Sequence, residues 1–141
     1  MSYCDLDDLK EQIPEDELIG LSDDAAAGIV DESVISRAIA DADAVVDAYC
    51  QGLYTVPLTP VPAMIRRVSV DIAIYNLYSR RGDSAPDIRQ DRYKEAVRFL
   101  EKVAAGKIGL GVTTPASSDT NNSVEFVGND RIFTRDKMAG F

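Results

Sequence analysis

The chain has 141 residues, 45% of them hydrophobic, with two cysteines, no tryptophan and no histidine. That length suits one domain with a modest core, and the lack of histidine removes the usual general base near neutral pH and the commonest metal ligand. The net charge of −9 is unevenly divided: residues 1–53 hold 14 acidic and 2 basic side chains, net −12, and residues 54–141 hold 10 acidic and 13 basic, net +3.

The N-terminus, MSYCDLDDLKEQIPEDE, is acidic and lacks the basic-then-apolar order of a signal peptide. No apolar run approaches the roughly 20 residues of a membrane span, so the chain is expected to be soluble and intracellular. Asp5 is placed to cap a short helix running through about Ile13, with Leu6, Leu9 and Ile13 at helical spacing. Pro14 and the acids Glu15, Asp16 and Glu17 open a second short helix ending near Leu21, because negative charge suits a helix N-terminus. Ser22 to Gly28 reads as loop. Asp31 then caps the first long helix, whose apolar stripe is Val34, Ile35, Ala38, Ile39, Ala42, Val45, Val46 and Tyr49. Asp41, Asp43 and Asp47 are expected mostly on its opposite, solvated side, and Gly52 is expected to end it.

A proline-spaced strap, YTVPLTPVP, follows. Pro57, Pro60 and Pro62 fix φ and bias Val56, Thr59 and Val61 toward extended geometry. Pro62 suits the first position of a helix reaching about Arg81. Met64, Ile65, Val68, Ile72, Tyr75 and Leu77 mark its buried face, widened by Val70, Ala73 and Ile74, so this helix is expected at the centre of the bundle. Gly82 stops it. The third long helix begins at Pro86-Asp87, turns Ile88, Tyr93, Val97, Leu100 and Val103 to the core, and closes at Gly106. The glycine alternation GKIGLGV then suits a short extended piece.

Residues 113–123, TTPASSDTNNS, have the composition of a flexible linker. Residues 124–141, VEFVGNDRIFTRDKMAGF, recover apolar and aromatic side chains among cations. Such a tail either folds back on the bundle or docks on a partner. The domain reading is therefore a helical bundle over 1–112, a linker over 113–123 and a C-terminal arm over 124–141. The fold class is all-α: three long helices plus short N-terminal ones, with an extended arm.

No site for chemistry emerges. There is no GxxxxGKS/T phosphate loop and no GxGxxG, and the glycines Gly106, Gly109 and Gly111 lack the strand–turn–helix context of a nucleotide site. Asp43 and Asp47 share a helix face at i, i+4, but nothing builds a cleft that would split their pKa values. Asp5, Asp7, Asp8 and Glu11 do not have calcium-loop spacing. Cys4 and Cys50 are too few and too far apart for a disulfide scaffold or a zinc site. The expectation is a protein without cofactor, metal or enzymatic activity. Arg66 and Arg67, and Arg80 and Arg81, flank the central helix; they suit a phosphate, and more commonly such pairs meet acidic neighbours.

Five stretches carry a resemblance: YCDLDDLKEQIPEDELIGL, YTVPLTPVP, IRRVSVDIAIYNLYSRRG, RYKEAVRFLEKVAAGKIGLGV and RIFTRDKMAGF. In combination and order they resemble the Mu-like phage and prophage protein family, encoded among head and tail morphogenesis genes, across nearly the whole chain except residues 117–122. The resemblance implies a head–tail connector, also called an adaptor or head-completion protein. Such proteins are small helical bundles forming a ring, typically of about twelve subunits, beneath the portal. It implies the portal and the stopper or tail-terminator proteins as partners, DNA passing without specific binding, assembly in the bacterial cytoplasm and a place in the virion neck.

In related adaptors a C-terminal arm inserts into the portal. By position and composition Phe126, Arg131, Ile132, Phe133, Arg135, Met138 and Phe141 are the docking candidates here. A ring repeats one heterologous interface, for which Asp41, Asp43 and Asp47 on one side and Arg66, Arg67, Arg80 and Arg81 on the other are candidate inter-subunit charges. Two other readings stand beside this one. A small acidic module could imitate DNA or occupy a host factor, and a helix–turn–helix could use the arginines of the central helix. Duplex binding by the acidic half is disfavoured, since affinity comes mainly from cations on phosphates.

Overall fold

The computed structural model describes residues 2–82 and 84–112. Five helices follow in order: α1 (Leu6–Gln12), α2 (Glu15–Ser22), α3 (Glu32–Cys50), α4 (Ala63–Ser79) and α5 (Asp87–Ala104). The fold is all-α, with no strand among the described residues. The linker and arm expected over 113–123 and 124–141 lie outside the described residues.

Local chemistry sets the helix starts. Asp5 accepts from the Asp8 amide while the Asp8 side chain accepts from the Asp5 amide, a reciprocal capping box that satisfies two otherwise orphaned donors. Asp31 accepts from the amides of Ser33 and Val34 at the head of α3. Pro14, Pro62 and Pro86 stand immediately before α2, α4 and α5, each fixing φ where no intrahelical N–H is needed. Pro62 thus precedes the helix instead of opening it.

The ends differ more from expectation. At Gly106 φ is +74°, and the amides of Gly106 and Lys107 bond back to Val103 and Lys102, a left-handed glycine terminus. Gly52 does not work this way. The α3 helix closes at Gln51 with α-region dihedrals, and Leu53 and Tyr54 both donate to the Cys50 carbonyl, so a turn of ordinary φ ends this helix.

Helix α4 packs against both α3 and α5, which also touch one another, while α1 and α2 lie across α3 and α4. All seven residues from Val68 to Ile74 are buried, which places α4 at the centre. Around it gather Ile35, Ala42 and Val46 from α3 and Ala96, Leu100 and Val103 from α5. Three expected core positions fail: Met64 is 46% and Ile88 61% exposed, and Val97 is only half-buried, with Ala96 taking the core position beside it. The buried line through Val103, Leu100 and Ala96 continues at 3.6 residues per turn toward Arg92 and Arg89, which leaves Ile88 to one side. Met64 lies likewise beside the line set by Ile65, Val68 and Ile72.

The strap turns Tyr54 and Leu58 inward, 7% and 1% exposed, and its Val56–Pro57 and Thr59–Pro60 peptide bonds are cis. It is bound at two points. The Leu58 amide donates to the Tyr3 hydroxyl at 3.0 Å, and the Leu110 amide donates to the Tyr54 hydroxyl at 3.0 Å. After α5 the chain therefore returns over the strap, with Ile108, Leu110 and Val112 half-buried against the core.

Candidate interaction surfaces

The charge division of the sequence follows the order of the helices, although α5 carries Asp87, Asp91, Glu95 and Glu101 among its cations. The acids of residues 5–47 lie on α1, α2, α3 and their connections, whereas Arg66, Arg67, Arg89, Arg92 and Arg98 lie on α4 and α5. How much of each set is free to meet a partner depends on what the fold already uses.

Asp43 and Asp47 are used. They occupy one face of α3, and that face meets the N-terminal segment instead of water. The Tyr3 amide donates to Asp43 Oδ1 at 3.1 Å, and the Tyr3 hydroxyl donates to Asp47 Oδ1. From α4, Ser69 Oγ donates to Asp43 Oδ1 at 3.2 Å and lies 3.4 Å from Cys4 Sγ. Both carboxylates are half-buried, which corrects the expectation of a solvated face. Burial, with the nearby Asp47 charge and its hydrogen bond, holds the Tyr3 phenol well above its ordinary range. Burial likewise pushes the Cys4 and Cys50 thiols up to about 11. A thiol held protonated is a poor nucleophile and a poor metal ligand, in keeping with two buried free cysteines.

Arg80 and Arg81 are used as well. Arg80 makes a two-pronged contact with Asp24 at 2.8 and 2.9 Å and reaches the Leu21 carbonyl at 2.8 Å. Arg81 joins the same carboxylate. These bonds hold Asp24 far below the usual carboxylate range, Arg80 contributing most, and they clamp the end of α4 to the α2–α3 connection. The same connection is braced by Asp23, whose two oxygens accept from the amides of Ala27 and Gly28 at 2.9 and 2.7 Å.

Arg66 sits 3.9 Å from Asp8. Asp41 and Arg67 remain exposed, with no ion pair among the described residues. Of the seven body charges considered for contacts between subunits, these two are the least committed within the subunit.

One charged residue escaped the sequence reading. Asp71, on the central helix, is 9% exposed and lies 3.8 Å from Arg92. Burial raises its pKa despite Arg92, Arg67 and Arg89 nearby. The signal was present: a single acid inside VSVDIAI, the most apolar stretch of the chain, can avoid the core only by facing a partly wet seam. The anchor at Tyr3 left a fainter one, the i, i+4 pair of acids on α3 with no cation of the same helix opposite them.

Among known proteins, the family described as "Bacteriophage Mu, Gp36" matches residues 3–127. The chain belongs to that family. "Mu-like prophage FluMu protein gp36" of Haemophilus influenzae is 41% identical over 113 residues, spanning 79% of this chain and 78% of the relative. "Gene product J" of Escherichia phage Mu is 32% identical over 145 aligned positions, spanning 100% of this chain and 99% of the phage protein. The Gp36 match covers the Tyr3 anchor, the strap and all five helices, and it runs into the segment beyond Val112. Of the arm residues, Phe126 falls inside the match, and Arg131, Ile132, Phe133, Arg135, Met138 and Phe141 follow it; all seven lie outside the described residues. No helix of the described part of this Gp36-family chain is long and apolar enough to cross a membrane.

Proposed function

We propose that this Gp36-family protein is a non-enzymatic structural subunit of a phage virion: a head–tail connector, or adaptor, that forms a ring under the portal and engages it through residues 124–141. The observation that carries the reading is kinship with phage Mu gene product J along essentially the whole of both chains, which supports a role in phage structure or morphogenesis. The charge division supports the ring. A heterologous interface joins unlike faces, and an acidic α1–α3 side and a more basic α4–α5 side are unlike. An acidic channel wall would also let DNA pass without sticking. The DNA-mimic reading draws on the same acids, but Asp24, Asp43 and Asp47 are engaged inside the subunit, which leaves it fewer charges to display.

The test is removal of residues 113–141. Every buried core residue described lies between Tyr3 and Val103, so the truncated chain is expected to keep its helical circular dichroism while losing capture by immobilised portal. Undiminished capture would refute docking by the arm. Mass photometry with and without portal tests the ring: larger assemblies are expected only with portal present, and a fixed dimer in both samples counts against it.

A further inference from the structure

The connection between α2 and α3 is held more firmly than its exposure explains. Asp23 accepts from the amides of Ala27 and Gly28, Arg80 and Arg81 grip Asp24, and the Asp31 amide donates to the buried Ser22 hydroxyl at 3.1 Å. Ala26 is kept at φ +54°, a left-handed conformation unfavourable for a residue with a Cβ. Yet all six residues from Asp24 to Ile29 are exposed, and Ile29, at 67%, is the most exposed large apolar side chain among the described residues. A loop fixed at both ends that buries none of these residues presents them. Glu32, three positions on, is exposed and has no ion pair among the described residues.

A notch of about 150 Å³ lies between α4 and α5, room enough for one benzene-sized group. Met64, 46% exposed, and the half-buried Phe99 offer it apolar surface. Arg67 stands exposed on its α4 edge, Arg92 is engaged with Asp71, and Glu95 is exposed on its α5 edge. An incoming acid is therefore accepted beside Arg67 and repelled beside Glu95. Loop and notch belong to opposite ends of α4. Arg80, which holds Asp24, lies sixteen residues beyond Met64, roughly 24 Å along the helix at about 1.5 Å per residue. The exposure of Ile29 shows that a subunit does not fill its own notch.

We propose that the α2–α3 connection of one copy docks in the α4–α5 notch of a second copy, with Ile29 against Met64 and Phe99 and Glu32 paired with Arg67. Two features select a second copy as the occupant. Each patch supplies what the other lacks, apolar to apolar and acid to base, and both are left unmet within the chain that carries them. A projecting apolar side chain that fits a pocket elsewhere on the same molecule joins copies head to tail, the geometry that closes into rings or runs into filaments. The fixed loop loses little freedom on docking. One such contact is small, so free subunits associate only at millimolar concentration. Closure into a ring rests on the connector reading; the contact itself does not.

The test uses the full chain without portal. Protein enriched in nitrogen-15 is mixed, at millimolar concentration, with unenriched protein carrying a nitroxide on Ala25→Cys, which leaves Ile29 intact; Cys4 and Cys50 are buried and stay unmodified. Broadening of the amide signals of Met64, Arg67 and Phe99 in the enriched copy is expected. Ile29→Ala in the spin-labelled copy, or Arg67→Glu in the enriched copy, is expected to weaken association about tenfold and remove the broadening. Pairing enriched Arg67→Glu with spin-labelled Glu32→Arg is expected to restore it. Broadening centred on residues 24–29 would indicate a symmetric pair and overturn the proposal. Broadening elsewhere, none at all, or broadening indifferent to Ile29→Ala would overturn it equally. Mass photometry with portal reads the ring separately: rings without this broadening refute the contact and leave the connector reading standing, and this broadening without rings does the reverse.

Discussion

The Tyr3 hydroxyl donates to Asp47, forty-four positions later, and the same oxygen accepts from the amide of Leu58 at 3.0 Å. One phenol thus joins the N-terminal segment, the first long helix and the strap. Its removal by Tyr3→Phe leaves the Leu58 N–H unpaired in a buried setting. Stranding a buried donor costs about 1–3 kcal/mol, and the expected result is a lower urea midpoint with an unchanged slope. The pH dependence has a definite sign. Folding raises the Tyr3 pKa above its ordinary value of 10.0, so its contribution is complete below pH 10 and falls as pH climbs beyond it. Part of the alkaline loss of stability should therefore disappear in the phenylalanine variant.

Tyr78 should give the opposite result. Its hydroxyl is buried with no hydrogen-bond partner among the described residues. Tyr78→Phe removes a desolvated polar group and keeps the ring, so stability is expected to hold or to rise by up to about 1 kcal/mol. A thermal melt of the two variants side by side checks this, and a loss at Tyr78 equal to that at Tyr3 would contradict it.

Asp71 offers a pH test in the acid range. Its folded pKa is raised, chiefly by burial, so its favourable contribution is complete below the ordinary value of 3.8 and is lost as pH rises through the folded value. Asp71→Asn removes the titration while keeping the shape. The variant is expected to melt higher than the parent at pH 7, with the gap closing by about pH 3.

Asp24 carries the reverse sign. Arg80 and Arg81 lower its pKa, so the clamp stabilises fully above pH 3.8 and is lost as pH falls toward the depressed folded value. Asp24→Asn is expected to weaken the fold at pH 7, less so at low pH and less so in molar salt, because the carboxylate is exposed and its attraction is screened there. The absence of any melting difference would show that the arginines act through their carbonyl contacts alone.

Helix starts were legible because each rests on residues adjacent in the chain: Asp5 and Asp31 cap through their own side chains, and Pro14, Pro62 and Pro86 act through their own rings. The centrality of α4 was legible from the density of apolar residues between Val68 and Ile74. What stayed hidden depended on what stands opposite. Periodicity put Asp43 and Asp47 on one face, but only the returning Tyr3 turns that face inward. It nominated Ile88 by residue type, whereas the line through Ala96, Leu100 and Val103 decides which residues of the first turn are covered. Gly52 could end a helix in the left-handed region, yet the turn through Tyr54 needs no such conformation. For the arginine pairs, the expectation that acids would meet them held at Arg80 and Arg81, and the acid concerned, Asp24, lies in a loop whose position no local pattern reports.

The anchor at Tyr3 also orders events during synthesis. Tyr3 leaves the ribosome ahead of its partners Asp43, Asp47 and Leu58, and the last of these emerges fifty-five positions behind it. The growing chain can bring Tyr3 to Asp43 and Asp47 once α3 has emerged, but it cannot complete the junction until the strap has been translated. Contacts between distant positions form late because ordering the intervening chain is costly. The segment around Tyr3 is therefore among the last parts of the body to come to rest.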